Sequence, residues 1–320
     1  MKSMKWTSVL LLLGAMACTG NKSNATGEEA AADSAAMDSA MCAEPREAET
    51  LILEVVKLAD SLSYQIKVSD YSTDEEPAPY TIETVTDHYS LQTLWAVEGP
   101  KEQVEFINQW LTLDAAEKGV DDPVTAARVA EEYATLQKEG VTDVRSAFKL
   151  ASQQSLNGNA PVGDEEMMEL GFVSSNEYES DVLIRWQTSK LLTLWLSGSM
   201  YLAGAAHGMP WEGGRTFDLV NLRVLTLDDI ITKAGQKPVL KMIVKELKDE
   251  YADSWDMDKP DSYFGFPASA PSLTKEGVSF DYGAYEIGPY AMGMPGVVLP
   301  YEKLQPYLTD EVKQLLKESE

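Results

Sequence analysis

Two histidines, His88 and His207, are the only imidazoles in this 320-residue chain, which limits the metal chemistry open to it. A metal-dependent hydrolase needs at least two imidazoles and a carboxylate around one ion, commonly with both imidazoles on one helical face. The sequence has no such spacing, and it has no Gly-x-Ser-x-Gly elbow, glycine-rich phosphate loop or Cys-His pair. It therefore predicts no metal, no cofactor and no catalytic residue, and it indicates a protein that is not an enzyme.

The segment from Gly208 to Gly214 holds the side chain best suited to binding. Trp211, followed by Glu212, lies there in a predicted loop. The indole can stack on a sugar ring or a partner's surface, or it can fold back on the sheet, and both alternatives stay open. His207 precedes this loop in a predicted turn, where its ring either binds a ligand or fixes the backbone. His207, Trp211 and Glu212 form the candidate ligand-binding loop.

Other groups fit structural roles better. Asp228 and Asp229 stand at a predicted helix start, where the positive end of the helix dipole attracts negative charge. Five tyrosines near the C-terminus are predicted to pack in the core with their hydroxyls hydrogen-bonded or wet: Tyr282, Tyr285, Tyr290, Tyr301 and Tyr307.

The first 17 residues predict export. Lys2 and Lys5 give a cationic start, the apolar run Val9–Leu13 is too short to span a bilayer, and small residues precede Cys18. We expect cleavage before Cys18 and lipid attachment to it. The product would be a bacterial lipoprotein of the cell envelope, on the periplasmic or outer-membrane face, bound to the membrane through the lipid alone. The alternative is plain secretion, which would allow a disulfide between Cys18 and Cys42.

Charge and composition narrow the partners further. The chain has 26 Lys and Arg residues against 52 Asp and Glu residues, a net charge of −26 at pH 7. Such a field repels nucleic acid and favours either cationic partners or simple solubility. Residues 18–48 are small and polar, which predicts a flexible tether, because such a segment cannot bury enough apolar surface to offset its chain entropy.

The remaining chain predicts two α+β domains, 49–160 and 161–320, each with antiparallel sheet and helices packed on it. Alternating residues predict strands, and apolar residues spaced three and four apart predict helices. The predicted strands are Leu62–Val68, Tyr80–Val85, Val182–Trp186, Leu191–Leu202, Thr216–Val220, Leu273–Tyr282 and Gly296–Leu299, with Leu51–Leu58 either strand or helix. The predicted helices begin at or after Pro100, Pro123, Asp143, Thr226, Lys237 and Asp310.

Three segments resemble a known extracellular domain. Ala205-Ala206-His207 ends a strand, Leu225 to Asp229 reads Leu-Thr-Leu-Asp-Asp, and Tyr285 to Gly293 leads towards Pro300-Tyr301 and Leu304. Over about residues 165–310, this pattern resembles the C-terminal domain of the RsiV-type anti-sigma factor, a domain of unknown function numbered 3298. The segment Phe106 to Trp110 is similar to the smaller α/β domain that usually precedes it.

The resemblance implies an α+β fold and a binding role, since the anti-sigma relative captures lysozyme through this domain. The chain lacks the cytoplasmic anti-sigma segment and the transmembrane helix of that relative. The leading hypothesis is a non-enzymatic envelope lipoprotein that binds a lysozyme-like protein or a peptidoglycan fragment. The alternatives are a glycan-binding accessory factor, or a hydrolase of cell-wall polysaccharide that uses carboxylates alone.

Overall fold

The computed structural model describes residues 50–70, 72–74, 79–120, 123–159, 169–170, 173–252 and 259–317. The predicted signal and tether, with Cys18 and Cys42, lie outside these residues. Among the helices that the structure describes, none is both long and apolar enough to cross a membrane.

Ten strands and seven helices make up the described chain. In order they are β1 (Ile52–Ser69), β2 (Tyr80–Glu98), α1 (Lys101–Ala115), α2 (Ala126–Lys138), α3 (Val144–Asn159), β3 (Glu169–Leu170), β4 (Glu177–Gln187), β5 (Leu191–Tyr201), β6 (Met209–Asp218), β7 (Arg223–Val224), α4 (Leu227–Ile230), α5 (Lys233–Glu250), β8 (Ser272–Leu273), β9 (Gly277–Asp281), β10 (Gly296–Pro300), α6 (Tyr301–Leu304) and α7 (Asp310–Lys317).

Seven strands form one sheet in the order β3-β1-β2-β4-β5-β6-β7. The fold is α+β, as predicted, but this sheet is mixed rather than antiparallel. β2 pairs with β4 in parallel, from His88↔Glu177 to Gln92↔Asp181, and β3 pairs with β1 in parallel. The three helices α1–α3 lie between β2 and β4 in sequence, and a long crossover of this kind is what parallel pairing requires.

The predicted boundary between residues 160 and 161 falls inside this sheet. Strands β1 and β2 precede the boundary and β4–β7 follow it, so it separates two parts of one sheet rather than two sheets. By its internal contacts, the range from residue 46 to residue 320 is one compact unit.

One hydrophobic core lies between the sheet and helices α1–α3. Helix α1 buries Phe106, Ile107, Trp110 and Leu111, which recur three and four residues apart and therefore share a face. The edges of the Trp110 and Phe106 rings meet the Phe217 ring of β6. Because this buried face packs on the sheet, α1 lies across the strands that carry the site described below.

A second core lies on the opposite side of the sheet. A small antiparallel sheet, β8-β9-β10, packs there with α5, whose buried face includes Val239, Ile243 and Leu247. Helix α5 begins at Lys233, four residues earlier than predicted, because the hydroxyl of Thr232 accepts a hydrogen bond from the Gly235 amide and caps it.

Two other expectations change. The ambiguous run Leu51–Leu58 is strand, since β1 pairs with β2 along its whole length. The single strand expected from Leu273 to Tyr282 is instead a hairpin of β8 and β9, closed at Thr274, whose hydroxyl accepts a hydrogen bond from the Gly277 amide.

Candidate functional site: an aromatic cleft beside Trp211

A cleft of about 790 Å³ opens on the helix side of the seven-stranded sheet, at the C-terminal end of α1. Four aromatic side chains from four different elements line it: Tyr89 of β2, Trp110 of α1, Tyr178 of β4 and Trp211 of β6. Residues 268–270, in the segment before β8, border it on one side. The charged residues of its lining include Asp114, Glu117 and Arg215.

Trp211 is a strand residue, so its predicted loop is wrong. The segment expected to be a loop is the first half of β6, where Trp211 pairs with Gly198 of β5. A Cβ atom at Gly198 would lie 2.3 Å from Cζ2 of the indole, so the ring lies directly over this glycine. Trp211 is nevertheless 42% exposed, which leaves part of the indole open to the cleft.

Glu212 also lines the cleft, and as the neighbour of Trp211 on a strand it is expected to point its side chain to the opposite face of the sheet. Burial raises the pKa of its carboxyl, the nearby charge of Asp281 raises it further, and Arg185 opposes both. The Arg185 guanidinium lies 4.5 Å from the centre of the Trp195 ring and 3.6 Å from the Asp281 carboxylate. Glu212 thus joins a polar cluster between the two sheets.

His207 lies in the turn between β5 and β6, where both ring nitrogens have protein partners. Nδ1 is 2.9 Å from the carbonyl oxygen of Gly208, and Nε2 is 2.9 Å from the Tyr285 hydroxyl. A carbonyl only accepts, so Nδ1 donates, and in the neutral ring Nε2 accepts from the tyrosine. The imidazole also stacks on Tyr290, with ring centroids 4.0 Å apart. These contacts join the turn to the segment after β9.

Tyr285 was predicted to pack in the core, and this prediction is wrong. Tyr285 is 51% exposed and has a φ of 66°, in the left-handed region that non-glycine residues rarely occupy. The next residue, Glu286, accepts hydrogen bonds from the amides of Gly283 (2.8 Å) and Ala268 (2.7 Å). The strained turn therefore holds the segment that borders the cleft.

The C-terminal end of α1 brings a carboxylate to the cleft. The Lys118 amide donates to the Leu113 carbonyl and the Glu117 amide to the Asp114 carbonyl, each at 2.9 Å, which is a Schellman motif. Glu117 has a φ of 55° at the position where glycine is usual. Its carboxylate accepts a hydrogen bond from the Tyr89 hydroxyl. Burial raises the pKa of this phenol well above its usual value, and the bond to Glu117 raises it further.

Asp114 and Arg215 both line the cleft, and the charge of Arg215 acts on the Asp114 carboxyl. Burial raises the pKa of Asp114 to about 6; the charge of Arg215 opposes this rise and that of Glu117 adds to it. Asp114 therefore titrates near pH 6. Depending on that proton, the cleft can offer a hydrogen-bond donor or a second carboxylate beside Glu117.

Comparison with known proteins finds a family that matches part of this chain. Residues 228–302 match the family described as "Protein of unknown function (DUF3298)". The similarity covers this segment, which is less than half of the chain. Two solved DUF3298 structures, each 20% identical to this chain, are similar to it. One, from Bacteroides fragilis, covers 79% of this chain and 94% of its own, with a TM-score of 0.44. The other, from Pseudomonas aeruginosa PAO1, covers 81% and 95%, with a TM-score of 0.46. No curated protein matches the chain.

The match confirms the resemblance to the domain of unknown function 3298 over residues 228–302 and locates it in the structure. The DUF3298 segment runs from α4 into α6 and includes the cleft border at residues 268–270 and the strained turn at Tyr285. The aromatic residues of the cleft all precede it. The segment therefore contributes a wall, and the strands and helix before it contribute the floor.

Sequence reasoning identified Trp211 but missed its companions in the cleft: Tyr89, Trp110, Tyr178, Asp114, Glu117 and Arg215. Tyr89 and Tyr178 become neighbours only through the parallel pairing of β2 with β4, where they stand directly opposite each other. Their ring centroids are 5.4 Å apart. Within the described residues, no group of three His, Cys, Asp or Glu side chains could hold a metal ion.

Proposed function

We propose that this protein is a non-enzymatic binding protein of the bacterial cell envelope, and that its aromatic cleft binds a saccharide such as a peptidoglycan fragment. The half-exposed indole of Trp211 in the cleft floor carries this proposal. Aromatic faces pack against the apolar face of a sugar ring, and nearby polar groups can bind its hydroxyls. The cleft supplies both from side chains fixed on strands and a helix.

Binding of soluble N-acetylglucosamine oligomers and of peptidoglycan fragments, followed by calorimetry, tests this function. Trp211→Ala should weaken binding about tenfold, since loss of one stacked ring is worth about 1.4 kcal/mol. Tyr80→Ala is the matched control, because Tyr80 is 53% exposed at the far end of β2 and does not line the cleft. Equal affinities of the two variants would reject the cleft as the site.

The same samples test the absence of catalysis. Asp114 and Glu117 are carboxylates in one cleft, the residue type that polysaccharide hydrolases use. Mass spectrometry of the oligomers after prolonged incubation should show no shortened chains. Cleavage that Asp114→Asn abolishes would replace binding with carboxylate-based hydrolysis as the function.

A basic lysozyme-like protein is the second candidate ligand, and the net charge of −26 favours it. Association between opposite charges is screened by salt, so binding of a basic muramidase should be strongest at low salt. No binding at low salt would remove this candidate. Insensitivity to Trp211→Ala would assign the muramidase to a surface other than the cleft.

Lipid attachment at Cys18 is the proposed means of envelope localisation. Mass spectrometry of the N-terminus of protein purified from membranes should find a diacylated or triacylated Cys18 as the first residue. An unmodified Cys18 would favour plain secretion, and an intact Met1 would contradict export.

A further inference from the structure

The aromatic cleft has a neighbour. A second depression of about 630 Å³ lies along β7 and the start of α4, between Pro123 and the segment Phe266–Pro271. Six residues line both depressions, so the two adjoin: Val124, Val224, Thr226, Ala268, Ser269 and Ala270.

The second depression has a different chemistry from the cleft. Phe266, Pro267 and Pro271 form one side of it, and Arg223 and Asp229, 2.7 Å apart as an ion pair, lie in its lining. Rigid apolar rings beside a fixed polar pair can hold a sugar ring without the stacking indole of the first depression.

Residues 268–270 form the wall that the two depressions share, and hydrogen bonds hold this wall and the residues just before it in place. The Ala268 amide donates to Glu286 (2.7 Å), the Ser269 hydroxyl to the Asp281 carbonyl (2.9 Å), and the buried Tyr282 hydroxyl to the Gly265 carbonyl (2.7 Å). A wall fixed at three points needs little ordering when a ligand binds, which lowers the entropic cost of binding.

We infer that the two depressions form one groove for a linear oligosaccharide, with one subsite beside Trp211 and another beside Phe266. The inference rests on the proposed function and adds the length of the ligand to it. Each depression alone has the volume of a site for one small molecule, about 300–1,000 Å³. A ligand that fills both must therefore be an extended chain.

The experiment measures the affinity of the full mature chain for N-acetylglucosamine oligomers from the monomer to the hexamer. A longer oligomer gains severalfold in affinity simply because it can occupy the first subsite in several registers. Beyond this register effect, we expect the hexamer to bind at least tenfold more tightly than the dimer. The excess comes from the second subsite, which the dimer does not reach when it occupies the first.

Two variants locate the gain. Phe266 lines the second depression and not the first, so Phe266→Ala should abolish the extra affinity of the hexamer and leave the dimer unchanged. At Gly213, on the floor of the first depression, an added Cβ would contact Ser269 at 3.8 Å, an ordinary van der Waals distance, so the γ carbons of a valine would narrow the depression. Gly213→Val should weaken oligomers of every length. Urea unfolding of both variants verifies that they fold.

The outcomes separate the two proposals. If no oligomer of any length binds, the proposed saccharide function fails and the inference fails with it. If the dimer binds and the hexamer gains nothing beyond the register effect, the proposed function stands and the extended groove is refuted. A hexamer gain that survives in Phe266→Ala also refutes it.

Discussion

Replacing Glu117 with glycine should destabilise the wild-type protein and stabilise a variant that lacks the Tyr89 hydroxyl. Glu117 occupies the position after the C-cap of α1, with a φ of 55°. Its backbone conformation suits glycine, while its side chain accepts a hydrogen bond from Tyr89. The two effects oppose each other, and a second substitution can separate them.

The magnitudes follow from the geometry. A non-glycine residue in the left-handed region carries a strain of about 1–2 kcal/mol, which glycine relieves. Glycine also raises the entropy of the unfolded chain, and this offsets about 0.4–1 kcal/mol of the relief. A hydrogen bond to a charged acceptor contributes about 1.5–3 kcal/mol. The lower end applies here, because Glu117 is exposed and Tyr89 lines a cleft that water can enter. Glu117→Gly should then cost the wild-type protein about 1 kcal/mol and stabilise Tyr89→Phe by about 0.5 kcal/mol.

Urea unfolding of the four proteins in this double-mutant cycle measures both quantities. Glu117→Gln is the control, since it keeps the strained backbone and removes the charge of the acceptor. It should destabilise the wild-type protein and have no effect on Tyr89→Phe. If Glu117→Gly lowers the stability of both backgrounds equally, the hydrogen bond contributes nothing. If it destabilises Tyr89→Phe, the backbone is not strained.

Three further predictions concern Asp114, Asp87 and Glu286. Asp114 has a pKa of about 6 in the folded protein and about 3.9 when unfolded, so the free energy of unfolding falls as the pH rises through that window. Asp114→Asn should therefore stabilise the protein by about 2 kcal/mol at pH 7.5 and not at pH 4, and an equal effect at both pH values would contradict burial as the cause. Asp87→Ala should lower the free energy of unfolding by about 3 kcal/mol in urea, because it leaves the amide and side-chain donors of Asn176 without their buried acceptor, whereas an effect below 1 kcal/mol would reject that role. Hydrogen exchange at the Ala268 amide should be faster in Glu286→Ala than in Glu286→Gln, and unchanged rates in both would show that Glu286 does not hold the wall.

Helices α1 and α4 were predictable because their signal is local. Apolar residues of α1 recur every three or four positions, and the hydroxyl of Thr226 and the carboxylate of Asp229 form a reciprocal capping box where the sequence predicts a helix start. The strand pattern also identified β5 and the core of β4. These features depend on residues a few positions apart, which a single sequence displays.

The sheet order was not predictable in the same way. Parallel pairing of β2 with β4 joins residues some ninety positions apart, and no local pattern specifies it. The glycines and proline around Trp211 are typical of a loop, yet pairing with β5 makes this segment a strand, since backbone hydrogen bonds to a neighbour outweigh the low strand propensity of glycine.

The cleft was recognisable only in part for the same reason. An indole between glycines is an unusual local feature, so Trp211 could be identified. Asp114 and Glu117 are ordinary helix-end residues in the sequence, and they gain their role from the strands beneath them. The position of Glu117 in a Schellman motif was hidden because the nearest glycine, Gly119, lies two residues beyond the left-handed position.

The division of the groove between two parts of the chain has a consequence for binding. The aromatic and charged residues of the first depression all precede residue 228, whereas the shared wall and its support by Glu286 lie inside the DUF3298 segment. Substitutions upstream should therefore change which chemical groups bind, and substitutions in or beside the wall should change how long a ligand fits. Because these two effects act on different parts of one ligand, Trp211→Ala and Phe266→Ala should reduce hexamer affinity by factors that multiply, while only the first reduces dimer affinity. A double variant no weaker than Trp211→Ala alone would mean that the second depression contributes nothing to binding.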